Sequence, residues 1–332
     1  MNRAARYALA TAALSLGSVA ALRLLRNPRK TQFHKKKTLS GKVVVVTGAS
    51  QGIGRATALE CAARGAVVVL AARHQDALEE VAREARDLGA QALVVPTDVR
   101  DRKQVEHLVN TAYARFGRLD VMMNDPGMAL IDSVEHSEDW RIRQLIELNV
   151  MGMIHGVQSA LFVMRKQGFG HIVNLASVAG RVAFPYQGIY SGSKAFVEVM
   201  TQALRQELMH VEKSGIKVTA VLPVAVRTPF FDKAPNVKEG GHGAHLVRPV
   251  LEASAVGRAV ADAIESYRPV VYPMRSARQL AVLYDLLPGV ADAVLSKMRV
   301  DRHTGPVNYQ ERGSYQDQKP ETPIVKEGAL VG

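Results

Sequence analysis

The most constraining feature of this sequence is a regular alternation of short apolar runs with longer segments of helical periodicity, beginning near Lys42. The runs are rich in valine and almost continuously apolar, as expected for strands buried on both faces of a parallel sheet. This repetition predicts an α/β domain with a doubly wound parallel sheet, right-handed crossovers and helices on both faces. The predicted strands are residues 43–47, 67–72, 92–96, 119–124, 171–176 and 217–222.

The alternation also predicts the domain organisation. No break interrupts it between residue 42 and about residue 300, which indicates a single domain over residues 42–300. Residues 301–332 are polar, rich in proline and glycine and without apolar periodicity, so this tail is predicted to be disordered. The single cysteine, Cys61, excludes a disulfide scaffold and a cysteine-built zinc site, and no metal site is predicted.

The positive charge of the chain is concentrated at its N-terminus. The chain has 43 lysines and arginines against 31 acidic residues, a net charge of +12. Residues 1–42 contain ten of these basic residues and no acidic residue, so the rest of the chain is almost neutral. Because binding to a phosphate backbone needs a basic patch on the folded body, we expect no nucleic-acid partner.

The basic leader, residues 1–41, contains an apolar segment between two groups of basic residues. As a helix, with Arg23 snorkelling, residues 7–25 would extend about 28 Å, against about 30 Å for the hydrocarbon core of a bilayer. The excess of basic residues after the segment places the body on the cytoplasmic side. The segment is therefore predicted to be a transmembrane helix. The alternatives are a secretory signal and a leader that lies on the bilayer surface or packs on the protein.

A glycine-rich loop joins the first predicted strand to the first helix. It reads TGASQGIG over residues 47–54, and its glycines permit a tight turn whose backbone N–H groups can approach a phosphate. The N-terminus of the following helix adds about half a positive charge. This context favours a dinucleotide site over a glycine turn without a ligand. The candidate cofactor-binding residues here are Gly48, Ser50, Gln51, Gly52, Ile53 and Gly54.

The end of the second predicted strand indicates which dinucleotide is bound. An acidic residue there would accept hydrogen bonds from the adenosine ribose of NAD, but this strand ends in an alanine followed by Arg73. A guanidinium pairs well with a 2′-phosphate, so NADP(H) is favoured over NAD(H). The alternative is that Arg73 is a solvated residue at the start of a helix.

A second set of polar residues indicates acid–base chemistry. Tyr190 and Lys194 are four residues apart at the front of a predicted helix, where an ammonium close to the phenol would lower its pKa. Ser177 follows the fifth predicted strand, at the carboxyl edge where open α/β sheets bind ligands. Asn149 lies in the preceding helical segment.

These motifs, in this order, resemble those of the short-chain dehydrogenase/reductase family over nearly all of residues 42–275. The resemblance implies a Rossmann-type fold and hydride transfer between a nicotinamide and a carbonyl or alcohol carbon. The matching elements are TGxxxGxG at residues 47–54, the aspartate after the third strand at Asp98 with Val99, the asparagine of NxxG at Asn149, the serine at Ser177, and YxxxK at Tyr190 and Lys194.

The resemblance also implies a role for each matched residue. Tyr190 would be the general acid/base, and Ser177 would bind the substrate oxygen. Lys194 would lower the pKa of Tyr190 and bind the nicotinamide ribose, and Asn149 would position a relay water. The pair Asp98-Val99 would border the adenine.

Two segments beside the expected cofactor depart from the family pattern. The family's NNAG reads NDPG at residues 124–127, which retains Asn124 as a candidate cofactor-binding residue but introduces a charge and removes a backbone donor. The family's PG after the sixth strand reads Pro223-Val224, and Thr228 stands where the family has a threonine that contacts the carboxamide. We expect altered binding geometry here rather than lost activity.

The sequence therefore predicts a membrane-associated, NADP(H)-dependent oxidoreductase whose catalytic domain faces the cytoplasm and whose small-molecule carbonyl or alcohol substrate is hydrophobic or lipid-like. Residues 229–249, with Phe230 and Phe231, are predicted to form a substrate lid. The sequence is compatible with a homo-oligomer and does not determine the oligomeric state. The alternatives are a ketoreductase of small or acyl-thioester carbonyls and a catalytically weak dinucleotide-binding protein.

Overall fold

The alternating pattern forms a parallel sheet covered by helices on both faces, in a computed structural model that describes residues 38–230 and 250–295. The strands in these ranges are β1 (Val43–Thr47), β2 (Val67–Ala71), β3 (Ala92–Val94), β4 (Val121–Asn124), β5 (Gly170–Leu175), β6 (Ile216–Val221), β7 (Val226–Arg227), β8 (Leu251–Glu252) and β9 (Val270–Val271). Seven of the strands in these ranges form one sheet in the order β3-β2-β1-β4-β5-β6-β9, and every pair in it is parallel. The predicted fold class is confirmed.

The helices connect these strands in the expected alternation. They are α1 (Gly52–Ala63), α2 (Gln75–Asp87), α3 (Arg102–Phe116), α4 (Asp139–Ile146), α5 (Gly152–Gln167), α6 (Gly188–Arg205), α7 (Ala253–Glu265), α8 (Arg275–Leu286) and α9 (Pro288–Leu295). A π-helical turn, Glu147–Met151, makes α4 and α5 continuous. The six predicted strands are all present. The sequence did not predict β7, β8 and β9, because each of these strands is only two residues long and so shows no periodicity.

The strand order places a crevice at one edge of the sheet. The chain proceeds outward from β1 to β3 on one side and from β4 to β9 on the other, so the order reverses between β1 and β4. In the register of the sheet, Val44 pairs with Val121 and Asn124 pairs with Asn174. The carboxyl ends of β1, β4 and β5 therefore lie side by side where open α/β sheets bind ligands.

Successive valines of β1 build the core on both faces of the sheet. Val44 and Val46 belong to the cluster that packs under α1, α2 and α7, and Val43 and Val45 belong to the cluster on the α3 and α5 side. Because side chains alternate along a strand, a continuous valine run fills both layers. This explains why the predicted strands lack polar alternation.

Helices α1 and α7 pack closely on one face. Gly257 of α7 lies against the backbone of α1, and a Cβ added at this position would stand 2.7 Å from the carbonyl oxygen of Ala56. At the C-terminal end of α1 the buried Arg64 guanidinium pairs with Glu60, Asp262 and Glu265. These contacts fix α1 against α7.

Cys61 lies in this helix interface. It is buried, and burial raises the pKa of its thiol to about 12. A thiol that stays protonated is a poor nucleophile, so Cys61 acts as a packing residue.

In the described ranges, one helical stretch is long and apolar enough to cross a membrane. This stretch is Asp139–Gln167, which joins α4 to α5, and 56% of its most apolar window is buried inside the fold. Burial against the sheet accounts for its apolar character, so it is weak evidence for a span. The predicted transmembrane helix at residues 7–25, the tail at 301–332 and Phe231 lie outside the described residues.

We expect Gly257→Ala to destabilise the protein. The new methyl group would overlap the backbone of α1 at Ala56, and overpacking of this kind costs about 1–3 kcal/mol. The measurement is the free energy of unfolding by chemical denaturation. Gly289→Ala in α9 is the matched control, because nothing in the described structure lies within 4 Å of its added Cβ. Equal stability of the two variants would contradict the close α1–α7 packing.

Candidate active site

A cavity of about 740 Å³ opens at the carboxyl edge of the sheet, where β1, β4 and β5 end. It brings together residues from the glycine loop, the second strand, the third strand and the front of α6, which are far apart in the sequence. The sequence-predicted residues that line it are Gly48, Ser50, Gln51, Gly52, Ile53, Arg73, Asp98, Val99, Ser177, Tyr190, Lys194 and Thr228.

The glycine loop is held by close backbone contacts. Gly48 has a φ of +68°, and a Cβ added there would lie 2.5 Å from the backbone oxygen of Asp125. A Cβ added at Gly54 would overlap the carbonyl oxygen of Gly48, so no side chain could be accommodated at this position. Gly54 itself lies behind the residues that line the cavity. Gly52, at φ +58°, lies against Thr228. The loop therefore needs glycine at these positions to bring the N-terminus of α1 to the cavity.

The end of the cavity nearest β2 and β3 is basic. Arg73 follows β2 and is exposed, and Arg100 pairs with Asp98 through a 3.0 Å hydrogen bond from Nε. This bond lowers the pKa of Asp98, and the positive charge of Arg73 lowers it further. His74 lines the same end. Sequence reasoning identified Arg73 and Asp98 but missed Arg100 and His74, which belong to no motif.

Tyr190 and Ser177 face the cavity from α6 and from the end of β5. Their hydroxyl groups are hydrogen-bonded to each other, and both residues are buried, with 6% and 9% of their surface exposed. Burial raises the pKa of Tyr190 to about 12, while the hydrogen bond to Ser177 lowers it and the charge of Asp125 raises it. The phenol thus keeps its proton at neutral pH.

Lys194 is bound to the backbone of β5. Its Nζ donates a 3.0 Å hydrogen bond to the backbone oxygen of Leu175, and the charge that acts on it is Asp125. Ser177, rather than Lys194, is the residue that lowers the pKa of Tyr190. Burial and the charge of Asp125 raise the pKa of Tyr190 in this structure, and the predicted lowering by Lys194 stays a prediction.

Asn149 lies behind the cavity lining and stabilises it. Its amide exchanges hydrogen bonds with the backbone N–H and carbonyl of Met128, at 2.8 and 3.1 Å, and donates to Ser193 Oγ at 3.1 Å. The Ser193 hydroxyl in turn donates to the backbone oxygen of Tyr190. Asn149 thus fixes two segments of the site, and its predicted role with a relay water remains a prediction.

The side chain of Asn124 does not reach the cavity. Its Nδ2 donates to Asn174 Oδ1 at 2.9 Å, and its Oδ1 lies where a side chain on Gly156 would stand. Asn124 therefore joins β4 to β5 beneath α5 and does not line the cavity, which corrects its prediction as a cofactor-binding residue. The next residue along the chain, Asp125, lines the cavity instead.

The half of the cavity beyond Tyr190 is apolar. The ring of Phe230 lies 5.9 Å from that of Tyr190, and Leu280 reaches the cavity from α8. Ala277 and Ala281 of the same helix pack into the core. Helix α8 therefore both packs on the core and extends the cavity. The other apolar lining residues in this half are Met128, Leu148, Phe184 and Val224.

Comparison with known proteins identifies the family. Residues 42–238 match the model of the short chain dehydrogenases. An uncharacterized oxidoreductase of Staphylococcus saprophyticus is 38% identical over 224 residues, which are 67% of this chain and 89% of the relative. The chain therefore belongs to the short-chain dehydrogenase family of oxidoreductases.

Solved structures show the same fold. A short chain dehydrogenase/reductase from Burkholderia phymatum in complex with NAD superposes with a TM-score of 0.69 and 27% identity, over 81% of this chain and 99% of that chain. A variant of actinorhodin polyketide ketoreductase with NADPH gives a TM-score of 0.63 and 28% identity, over 71% of this chain and 97% of that chain. One of these neighbours holds NAD and the other NADPH.

Proposed function

We propose that this protein transfers a hydride between a nicotinamide dinucleotide, with NADP(H) preferred, and a carbonyl or alcohol carbon of an apolar substrate. The observation that carries the proposal is the hydrogen-bonded pair of Tyr190 and Ser177, which faces the same cavity as the glycine loop. Family membership and the dinucleotides bound by the two solved neighbours support it.

The residues of the cavity fit a dinucleotide. The loop at Gly48 and Gly52 brings the N-terminus of α1 to the cavity, where backbone N–H groups and the helix dipole suit a pyrophosphate. Asp98 and Val99 would lie beside the adenosine, and Lys194 and Thr228 beside the nicotinamide half. When bound, the cofactor supplies the hydride.

Tyr190 and Ser177 supply the proton chemistry. Reduction of a carbonyl builds negative charge on its oxygen, and two hydroxyl donors at one point stabilise that charge as it forms. The raised pKa of Tyr190 keeps the phenol protonated, which suits a general acid in the direction of reduction. Burial of both groups excludes water and strengthens their hydrogen bonds to the substrate oxygen.

The substrate class follows from the apolar half of the cavity. Phe230, Phe184 and Leu280 form a surface that buries hydrocarbon rather than charge. A hydrophobic or lipid-like carbonyl compound or alcohol is therefore the favoured substrate. The ketoreductase among the solved neighbours favours a second candidate, a small or acyl-thioester ketone.

We expect Tyr190→Phe to reduce turnover by ~10² to 10⁴-fold while NADPH still binds, because only the proton donor is lost. The measurement is kcat on a panel of steroid, retinoid, aliphatic and acyl-thioester carbonyls, with NADPH binding followed by nucleotide fluorescence. Tyr113→Phe is the control, since Tyr113 lies on α3 outside the cavity. Full turnover by Tyr190→Phe would remove the assigned role. NADPH binding without turnover on any substrate by the unmodified protein would favour a non-catalytic dinucleotide-binding protein.

We expect Arg73→Asp to shift cofactor preference toward NADH by ~10- to 100-fold, because a charge-assisted pair with the 2′-phosphate is replaced by repulsion. The measurement is the ratio of kcat/KM for NADPH to that for NADH. Arg83→Asp makes the same charge change on the exposed face of α2 and should leave this ratio unchanged. An equal ratio in all three proteins would overturn the assignment of Arg73.

We further propose that residues 7–25 anchor the protein in a membrane with the catalytic domain on the cytoplasmic side. We expect the full chain to stay with membranes through alkaline and high-salt washes, and a chain without residues 1–25 to be released by salt. The shortened chain keeps the basic residues that follow, so release only by salt separates a hydrophobic anchor from electrostatic binding. An N-terminus cleaved after the apolar segment would instead support a secretory signal.

A further inference from the structure

Asp125 is an ionisable residue in the candidate active site to which neither the motifs nor the proposed mechanism give a role. It follows β4 directly and lines the cavity between the glycine loop and α6. Its backbone N–H donates a 2.9 Å hydrogen bond to Thr47 Oγ1, and its backbone oxygen lies against Gly48. The position of this carboxylate is therefore tied to the end of β1.

The carboxylate also contacts the first turn of α1. It accepts a hydrogen bond from the backbone N–H of Gly54. The first turn of α1 contains no acidic residue of its own. Asp125, which follows β4, thus supplies the negative charge that the N-terminus of α1 favours.

Lys194 lines the same cavity as Asp125, and the two charged groups are too far apart for a direct ion pair. Only 3% of Lys194 is exposed, and its Nζ donates to the backbone oxygen of Leu175, a neutral acceptor that does not balance its charge. Gly127 has no side chain and lies close to this ammonium, since an added Cβ would stand 3.5 Å from Nζ. The turn at residues 125–127 therefore passes close to Lys194, and the Asp125 carboxylate acts on this ammonium across the cavity rather than through a direct contact.

We propose that Asp125 is a positioning residue of this site: its carboxylate is the counter-charge that keeps Lys194 protonated beside the bound dinucleotide. This inference rests on the proposed function for the ligand, but the pairing itself concerns residues of this chain alone. A buried ammonium without a counter-charge loses its proton, whereas a paired one keeps it.

The electrostatics of the pair agree with this role. Burial lowers the pKa of Lys194 to about 8, and the charge of Asp125 opposes that lowering. Burial raises the pKa of Asp125 to about 7, and Lys194 opposes that change. Among the described residues, the other titratable group that senses Asp125 is Tyr190, while α1 and β5 contribute the uncharged Gly54 N–H and Leu175 carbonyl. Removing the carboxylate should therefore lower the pKa of Lys194 further.

The test is the pH dependence of Lys194 protonation in Asp125→Asn, which keeps an oxygen acceptor for the Gly54 N–H and removes only the charge. Two readouts are used between pH 6 and 9.5. The first is the Kd for NADPH, and the second is competitive acetylation of Lys194, read by mass spectrometry without nucleotide. In the unmodified protein, NADPH affinity should fall as the pH rises through about 8, where Lys194 loses its proton.

We expect both midpoints to move down by about one pH unit in Asp125→Asn, and Asp125→Glu to restore most of the shift, because the effect depends on charge. Asp98→Asn is the matched control: it also removes a carboxylate from the cavity, but that carboxylate pairs with Arg100 and should leave both midpoints in place.

Unchanged midpoints in Asp125→Asn, with affinity reduced by the same factor at every pH, would indicate a structural residue and overturn the proposal. A shifted acetylation midpoint in a protein that binds no NADPH would support the pairing while rejecting the proposed cofactor. The two proposals can therefore fail separately.

Discussion

The site depends on the close approach of two backbone segments, the glycine loop after β1 and the turn after β4. Gly48 allows the carbonyl of Asp125 to lie against the loop, and the Thr47 hydroxyl accepts the N–H of Asp125. This contact can form because the strand order reverses between β1 and β4, which leaves the crevice of a doubly wound sheet. The start of α1, the carboxylate and the front of α6 are consequently held around one cavity.

Within that cavity, burial decides the electrostatics. Tyr190 keeps its proton because burial raises its pKa, and its partner hydroxyl is Ser177 rather than the ammonium four residues along the helix. Lys194 and Asp125 are each pushed toward the neutral form by burial and toward the charged form by the other. The hydroxyl groups of Tyr190 and Ser177 and the charged groups of Lys194 and Asp125 therefore line one cavity, which has a basic end near Arg73 and an apolar end near Phe230.

Most of the fold could be predicted from sequence because its signals are local. Short apolar runs identified six of the strands. The two-residue strand β9 could not be predicted, since its pairing with β6 is a tertiary contact without a local pattern. The site followed the same rule: motif residues such as Tyr190 and Ser177 reached the cavity, whereas Arg100 has no motif and was found only in three dimensions.

The sequence by itself determined the class of fold, the family and the residues able to bind a dinucleotide and move a proton, because residue type, order and spacing carry that information. The tertiary structure alone decided which of those residues act on one another. It turned Asn124 into the sheet and Asp125 into the cavity, one residue apart, and it placed the Lys194 ammonium on the backbone oxygen of Leu175, within the influence of the Asp125 charge. The physical reason is that desolvation and charge pairing depend on distances between segments far apart in the chain, which no local pattern specifies.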